Sequence, residues 1–471
     1  MSKLTQWIVK HNLLKPPSLE VSVRGQEVNP LKDGDHVVVV GGGIAGSAFA
    51  RRLLSLAVKE GKKVKVTMVN GTSCNYCGGL ITDLALKTFN QTYGLRVPKD
   101  VVLTRIKEFA YINSQGSFDL SIEEPMLGVL RTSRFGVIGF DDSFKMRILE
   151  GLPDETADFL TVMEPTIATH ILPQKEGGKP WKVVTSRRKA DGTSIELAAD
   201  FVVLAGGLKM IDRPVLTEFQ TFTGYQPPPL MPASVTEIDT SQARVNLMDG
   251  RLYIVDGIVP GAVMGLVSKS KNWLTLTSLG RELSKEDFDR LFSHPEVKKH
   301  LDLPNPSQHL RCGIICKASV YTGPAKNFYG DNWAAIGDLN GYGRVLKDGY
   351  LASLLSAKLA AETIIYIGRD KQSLYKNYFL PISKLKNDNK AGMALFKINT
   401  LLNHTSCFSK FFIKSAHLEA KHHKCSGPIH QGVKSLMTGD LPYKWIAALF
   451  VVGLLRRLST PWEFILNISK K

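Results

Sequence analysis

A chain of 471 residues, 44% hydrophobic and 22% charged with a mean hydropathy of -0.04, has the composition of a globular protein of two or three domains. That composition excludes a disordered or fibrous chain, and no apolar run reaches the ~20 residues that cross a bilayer as a helix. The net charge is +17, and residues 369–471 hold 17 Lys or Arg against 5 Asp or Glu, so +12 of it lies in that last stretch. Such an end attracts anionic surfaces. Six cysteines are too few for a disulfide-built scaffold, and the stretch before Pro16 lacks the apolar core of a signal peptide. A cytoplasmic setting is the expectation.

Residues 1–34 read as a polar, proline-containing lead-in. Val37-Val38-Val39-Val40 is then a β-branched run suited to a buried parallel strand. Gly41-Gly42-Gly43-Ile44-Ala45-Gly46 follows and opens a helical pattern that Gly61 ends, and residues 64–69 supply a second strand. Together they make a βαβ unit of the usual length, about 30 residues. Residues 101–135 alternate as antiparallel strands, and a helix is expected over 143–152. Further strands are expected at 181–185 and at 200–204, the latter ending in Ala205-Gly206-Gly207. Residues 208–330 look mainly β. A late strand, Trp333-Ala334-Ala335-Ile336, runs into Gly337-Asp338, and a long Ala- and Leu-rich helix is expected over 348–367. The basic remainder reads as helical.

The first βαβ unit carries the sharpest chemical signal. Gly41 permits a tight turn, Gly43 lets the backbone approach a pyrophosphate, and Gly46 lets the helix pack on the strand. The helix N-terminus, at Ile44 and Ala45, turns its N–H groups toward the phosphates. Asn70 ends the second strand where an Asp or Glu normally meets the adenosine ribose, and residues 71–73 offer no Arg for a 2′-phosphate, so NADP is not favoured there. The late Gly337-Asp338 has the form of the turn in which an Asp meets the ribityl chain of FAD. The helix beginning near Gly349 aims its positive end at the flavin.

In this order, the Gly41-to-Gly46 loop, Cys77-Gly78-Gly79, Phe140-Asp141, Ala205-Gly206-Gly207 and Gly337-Asp338 resemble the geranylgeranyl reductase family of FAD-dependent oxidoreductases, within the aromatic-hydroxylase-like superfamily. The resemblance covers roughly residues 35–365. It implies an α/β fold: a glutathione-reductase-type, Rossmann-like FAD-binding domain interleaved with an antiparallel β-sheet substrate domain, followed by a basic helical C-terminal region. The corresponding segments are 35–110, 136–207 and 330–368 for the first, 111–135 and 208–329 for the second, and 369–471 for the third, after the extension 1–34. The resemblance also implies reduction of carbon–carbon double bonds in a polyprenyl chain by hydride transfer from reduced flavin. By position, Gly41, Gly43 and Gly46 hold the pyrophosphate and Asp338 the ribityl chain. Cys77, with Gly78 and Gly79, lies near the isoalloxazine, and Ala205 and Gly206 complete the cofactor set. The family's aromatic substrate stretch is reduced here to Tyr253, and its Ala-Ala-Gly turn after the Gly-Asp is Leu339-Asn340-Gly341-Tyr342-Gly343. Cys77, Tyr253 and Tyr342 are the candidate proton donors.

No second dinucleotide loop is visible, so NADPH, ferredoxin and an electron-transferring flavoprotein stay open as electron donor, and an acidic carrier would suit the basic end. Cys74-Asn75-Tyr76-Cys77 and the Cys312/Cys316 pair have the wrong mutual spacing for zinc, and the tight cysteine run of an iron–sulfur cluster is missing. No metal is expected. His422-His423 reads as a solvated basic loop. Residues 444–457 contain an apolar core of 11 residues flanked by cations, too short to span but able to lie in a bilayer interface or to pack as a buried helix. Residues 408–457 are therefore a candidate contact with an anionic membrane surface, peripheral on the inner face. RNP, KH and helix-turn-helix patterns are absent, and nucleic acid is not an expected partner. Two alternatives stand beside the reductase reading: an FAD monooxygenase or dehydrogenase on a smaller hydrophobic compound, and a membrane-associated electron-transfer flavoprotein passing electrons to quinone.

Overall fold

A computed structural model describes residues 27–71, 77–130, 138–174, 178–187, 194–244, 249–270, 272–345, 349–384, 389–403, 405–423 and 427–459. Cys74, Cys425, Asp348 and residues 1–26 of the expected N-terminal extension lie outside them, as do the side chains of His422 and His423.

In chain order the first elements are β1 (His36–Val40), α1 (Ile44–Lys59), β2 (Lys65–Val69), β3 (Leu80–Ile81), α2 (Asp83–Tyr93), β4 (Val102–Asn113), β5 (Gly116–Val129) and α3 (Phe140–Met146). Next come β6 (Leu160–Met163), β7 (Thr166–Pro173), β8 (Trp181–Arg187), β9 (Ser194–Ala199) and β10 (Phe201–Leu204). Then follow α4 (Pro214–Thr223), β11 (Leu230–Asp239), β12 (Arg251–Asp256), β13 (Val263–Ser270), β14 (Trp273–Leu279) and α5 (Lys285–Ser293). Last come β15 (Cys316–Tyr321), β16 (Tyr329–Gly330), β17 (Trp333–Ala335), α6 (Gly349–Tyr366), α7 (Asn389–Asn403), α8 (Ser406–His423), α9 (Pro428–Thr438) and α10 (Tyr443–Ser459).

The first sheet has the order β16-β17-β10-β1-β2-β6, parallel from β17 to β6, with β16 antiparallel at the edge. The valine run occupies β1 at its centre, buried on both faces, as a parallel strand covered by helices requires. On one flank α1 packs with α6, and Arg52 of α1 is ion-paired with the buried Glu362 of α6. A small antiparallel sheet, β7-β8-β9, accompanies this layer.

The second sheet, β15-β11-β14-β13-β12-β4-β5-β3, is antiparallel except for the β12–β4 pair. Strict alternation gives it two apolar faces. Ala110, Ile112, Tyr253, Val255, Leu266 and Leu276 pack against Phe288, Leu291 and Phe292 of α5. Phe109, Tyr111, Phe118, Leu252 and Ile254 pack beneath Phe412 and Ile413 of α8 and Ile429 and Val433 of α9. Two differences from the sequence reading have plain causes. Residues 102–110 pair within this second sheet, whereas the segment bounds drawn with the resemblance left them with the first domain. The helix expected over 143–152 begins earlier, at Phe140, whose ring is anchored on Phe89 and Tyr350.

Within the basic end, residues 371–383 are helical and pack on the core of the first sheet, and α7 to α10 are laid over the second sheet rather than forming a detached tail. Asn399 and Asn403 of α7 each donate to the buried carboxylate of Asp256 at 2.5 Å, and Tyr111 donates to the same oxygen at 3.1 Å. Among the described residues, no helix is long and apolar enough to cross a membrane.

Candidate functional site

Glycine geometry builds the site at the C-terminal ends of β1 and β10. Gly41 has φ +116, and a Cβ there would stand 2.5 Å from the carbonyl of Ala205 and 2.6 Å from the Gly206 nitrogen. A Cβ on Gly46 would stand 1.9 Å from the Gly41 oxygen, so the first turn of α1 can close on the strand only without a side chain. Gly43 differs. Its φ of -72 is open to any residue, and a Cβ there would meet nothing within 4 Å, so its missing side chain leaves space rather than relieving a clash. Gly43 is the N-cap of the 16-residue helix α1, with no side-chain cap and no acid in the first turn. Among the described residues, the N–H groups of Gly43, Ile44 and Ala45 find no acceptor. A helix start left bare in this way is an anion site.

The late loop adjoins it. Gly337, at φ +64, lies so close to α1 that a Cβ would be 2.8 Å from Cβ of Ala45, and its N–H donates to Ser356 of α6 at 2.9 Å. Asp338 follows, with Oδ1 3.8 Å from the Cβ position of Gly349, the first residue of α6. Its carboxylate has no hydrogen-bond or ion-pair partner among the described residues, and burial pushes its pKa up to about 6. Tyr225 braces the loop by donating to the Leu339 carbonyl at 2.6 Å, and Asn340 accepts from the Tyr342 N–H at 2.8 Å. The loop continues into the C-terminal helices. Asn389 accepts from Val345 N–H at 3.0 Å and donates to the Gly343 carbonyl at 2.9 Å, and Arg344 stacks on Tyr443 at 4.3 Å.

Asn70 stands at the end of β2 as the sequence places it, and both ends of its amide are engaged. Oδ1 accepts from the Gly42 N–H at 3.0 Å, and Nδ2 donates to Glu164 at 3.0 Å. Glu164 is in turn ion-paired with Lys145 of α3. The carboxylate missing from the end of β2 is thus present at the end of β6, one strand over. Sequence reasoning missed Glu164 and Lys145 because pairing of β2 with β6, not local spacing, brings them there.

Of the remaining candidates, Tyr342 continues the late loop, while Cys77 and Tyr253 lie on the second sheet. Cys77 accepts from the Gly79 N–H at 3.3 Å, and its Cys-Gly-Gly element rests on the second sheet. A Cβ on Gly78 would stand 3.3 Å from Thr277, and one on Gly79 would stand 2.6 Å from Nζ of the buried Lys269. Lys269 went unremarked in the sequence because a lysine in a strand reads as solvent-facing. Tyr342 is buried against Phe328, at 5.1 Å between ring centroids, and burial raises its hydroxyl pKa. Tyr253 packs on the α5-covered face of the second sheet, opposite the face that Thr277 and Gly265 share with the Cys-Gly-Gly element, so the structure does not bring it to this group. Among the described residues, no three His, Cys, Asp or Glu side chains gather as a metal set.

Residues 41–46, Ala205-Gly206, Gly337-Asp338 and Gly349 are therefore neighbours in space. An uncapped helix start, a glycine-lined turn and a half-buried, partnerless carboxylate fit a dinucleotide: the first suits phosphates, and the last suits hydroxyl groups.

Solved structures, flavin-dependent enzymes among them, share this architecture. A geranylgeranyl bacteriochlorophyll reductase-like protein from Thermoplasma acidophilum aligns with a TM-score of 0.57 at 15% identity, over 81% of this chain and 90% of that one. The flavin-dependent brominase Bmp2 aligns at 0.55 with 16% identity, over 88% and 97% of the two chains. A flavoprotein/dehydrogenase from Cytophaga hutchinsonii aligns at 0.54 with 13% identity, over 89% and 99%. No family model matches the chain, and no curated protein does. At these identities it is the backbone arrangement that is shared: this chain has the fold of those structures.

Proposed function

We propose that the protein is an FAD-dependent oxidoreductase that reduces a carbon–carbon double bond in a polyprenyl or other long hydrophobic substrate. The observation that carries the cofactor is the contact of Gly337 with Ala45, which sets the turn bearing the partnerless Asp338 beside the bare α1 N-terminus. The hydrophobic substrate is supported by the Cys77-Gly78-Gly79 element on the second sheet and by the likeness in fold to the reductase-like protein.

FAD, when bound, supplies two-electron hydride chemistry at its ring system. Gly43, Ile44 and Ala45 would donate their N–H groups to the pyrophosphate. Asp338 would accept from ribityl hydroxyls, and the N-terminus of α6 would add positive potential beside it. Glu164, steadied by Lys145 and Asn70, would be the carboxylate that meets the ribose at the end of β2. Tyr342 and Cys77 stay as the proton donors of the proposal, and burial makes the Tyr342 hydroxyl a weaker acid than a free phenol. Tyr253 is left out of it because of the face it occupies.

Purified protein is expected to take up one FAD per chain, read by absorbance and mass spectrometry. With a chemical reductant under anaerobic conditions it is expected to add two hydrogens to a prenyl lipid. Failure to bind flavin overturns the whole reading. Flavin binding with oxygen uptake coupled to substrate hydroxylation or halogenation overturns the reductase part alone.

Asp338→Asn offers a sharper check, because it is expected to move stability and affinity in opposite directions. A carboxyl with a folded pKa of about 6 binds its proton more tightly in the folded state than in the unfolded chain, so it costs stability above that pH. Removing the charge should stabilise the cofactor-free protein at pH 8 by about 2 kcal/mol, with no gain at pH 4. FAD affinity should fall by roughly tenfold or more. Thermal melts at the two pH values and a flavin fluorescence titration read both effects.

A further inference from the structure

Helices α7 and α10 are neighbours, with the Tyr443 ring 2.6 Å from where a Cβ on Gly392 would stand. α10 is apolar toward the protein and again apolar outward, and α7, which buries Asn389, Gly392 and Asn403, turns aliphatic side chains outward between lysines. In α10, Tyr443, Ile446, Leu449 and Gly453 are buried, while Ala448, Val451 and Leu455 form an exposed stripe at i, i+3 and i+7. In α7 the exposed stripe is Lys390, Ala394, Lys397, Ile398 and Leu401, and Leu401 is 71% exposed. A helix apolar all round is ordinarily covered all round.

Charge says what covers it. Residues 389–459 contain 10 Lys or Arg and only two acids, Glu419 and Asp440. Glu419 is turned inward, where it accepts from the Ile429 N–H at 2.9 Å and from His430 at 3.1 Å. The outward stripe of α8 carries Lys410, Lys414 and Lys421 and no acid. Exposed leucine, isoleucine and valine among cations, on helices too short to span, is the pattern of an interfacial helix on anionic lipid. Nucleic acid would use the cations and leave the aliphatic stripe bare.

We propose that α7, α8 and α10 seat the protein on the surface of an anionic lipid bilayer, with Ile398, Leu401, Val451 and Leu455 entering the headgroup–acyl boundary. The assignment goes beyond the flavin reading and stands without it. It also sets the bilayer beside the second sheet, since the same α7 holds Asp256.

The test uses the full chain and vesicles of phosphatidylcholine with or without roughly a third phosphatidylglycerol. Co-sedimentation is expected with the anionic vesicles only, weakening as salt rises. A Leu401→Glu, Val451→Glu double variant should lower partitioning by about tenfold or more, since it removes apolar insertion and adds repulsion, with an unchanged melting temperature. Lys410→Glu, Lys414→Glu should weaken it in the same direction. Absence of binding at low salt, equal binding to neutral vesicles, or a dimer in solution that the leucine–valine variant dissolves would each overturn the proposal. Vesicle binding is read with and without FAD, so its failure is distinguishable from failure of the flavin site.

Discussion

Gly43→Val is expected to abolish FAD binding while the fold stays intact, and Gly46→Val is expected to damage the fold itself. The two glycines stand three residues apart in one loop and do opposite physical work. At Gly43 the backbone is extended, and a side chain would enter space that no protein atom within 4 Å occupies. Valine there costs the folded chain little, since extended backbone suits a β-branched residue. It fills the approach to the bare N–H groups of α1, and a loss of about 3 kcal/mol of binding corresponds to more than a hundredfold in affinity. At Gly46 the same side chain would start 1.9 Å from the Gly41 oxygen, which forces α1 off β1. That overpacking, at the centre of the first sheet, should cost about 3 kcal/mol or more. Thermal melts and flavin titrations on the two variants separate the effects. Normal FAD affinity in a folded Gly43→Val protein would remove the pyrophosphate from this loop.

The second large effect is expected at Asp256, where the basic helices meet the second sheet. Asp256→Ala removes the acceptor shared by Tyr111, Asn399 and Asn403 and leaves two buried donors and one half-buried donor without it. A loss of about 3 kcal/mol or more is expected, with α7 detaching before the sheet melts. Asp256→Asn keeps an acceptor and a similar volume, and should be far milder. The pair also predicts a pH dependence. Burial raises the Asp256 carboxyl to about 6 from the ordinary 3.8, so between those values the folded protein holds a proton that the unfolded chain has released. Stability carried by this group therefore rises as pH falls from 7 toward 4, by up to about 3 kcal/mol, and Asp256→Asn should flatten that rise. Chemical unfolding of both proteins across this range measures the difference. An unchanged slope in Asp256→Asn would mean that the group is not buried as a titrating carboxyl.

The legible part of the site was the part made of backbone. Glycines at 41, 43 and 46 after four valines state a strand, a turn and a helix start within ten residues, because at 41 and 46 only glycine satisfies the local sterics and at 43 it leaves the approach open. Gly337-Asp338 was legible for the same reason, although nothing local could say that Ala45 would be its neighbour. The side-chain partners were not legible. Asn70 looked like a ribose ligand, yet its amide ties Gly42 to Glu164, a residue 94 positions away that β-strand pairing delivers. Tyr253 looked like a substrate contact, yet strand parity turns it to the α5 face, and parity depends on a register that composition does not reveal.

By itself, then, the sequence determined the phosphate-type turn, the helix behind it, the late acidic turn and the concentration of cations in the last hundred residues. Tertiary structure alone decided that the two turns are neighbours in space, that residues 102–110 join the second sheet, and that the cationic end is a docked layer of helices holding Val345 and Asp256. Local sterics act within a few residues and are written in their identities. Sheet order, register and docking are settled by burying the largest apolar area with every inner polar group satisfied, a condition on the whole chain at once.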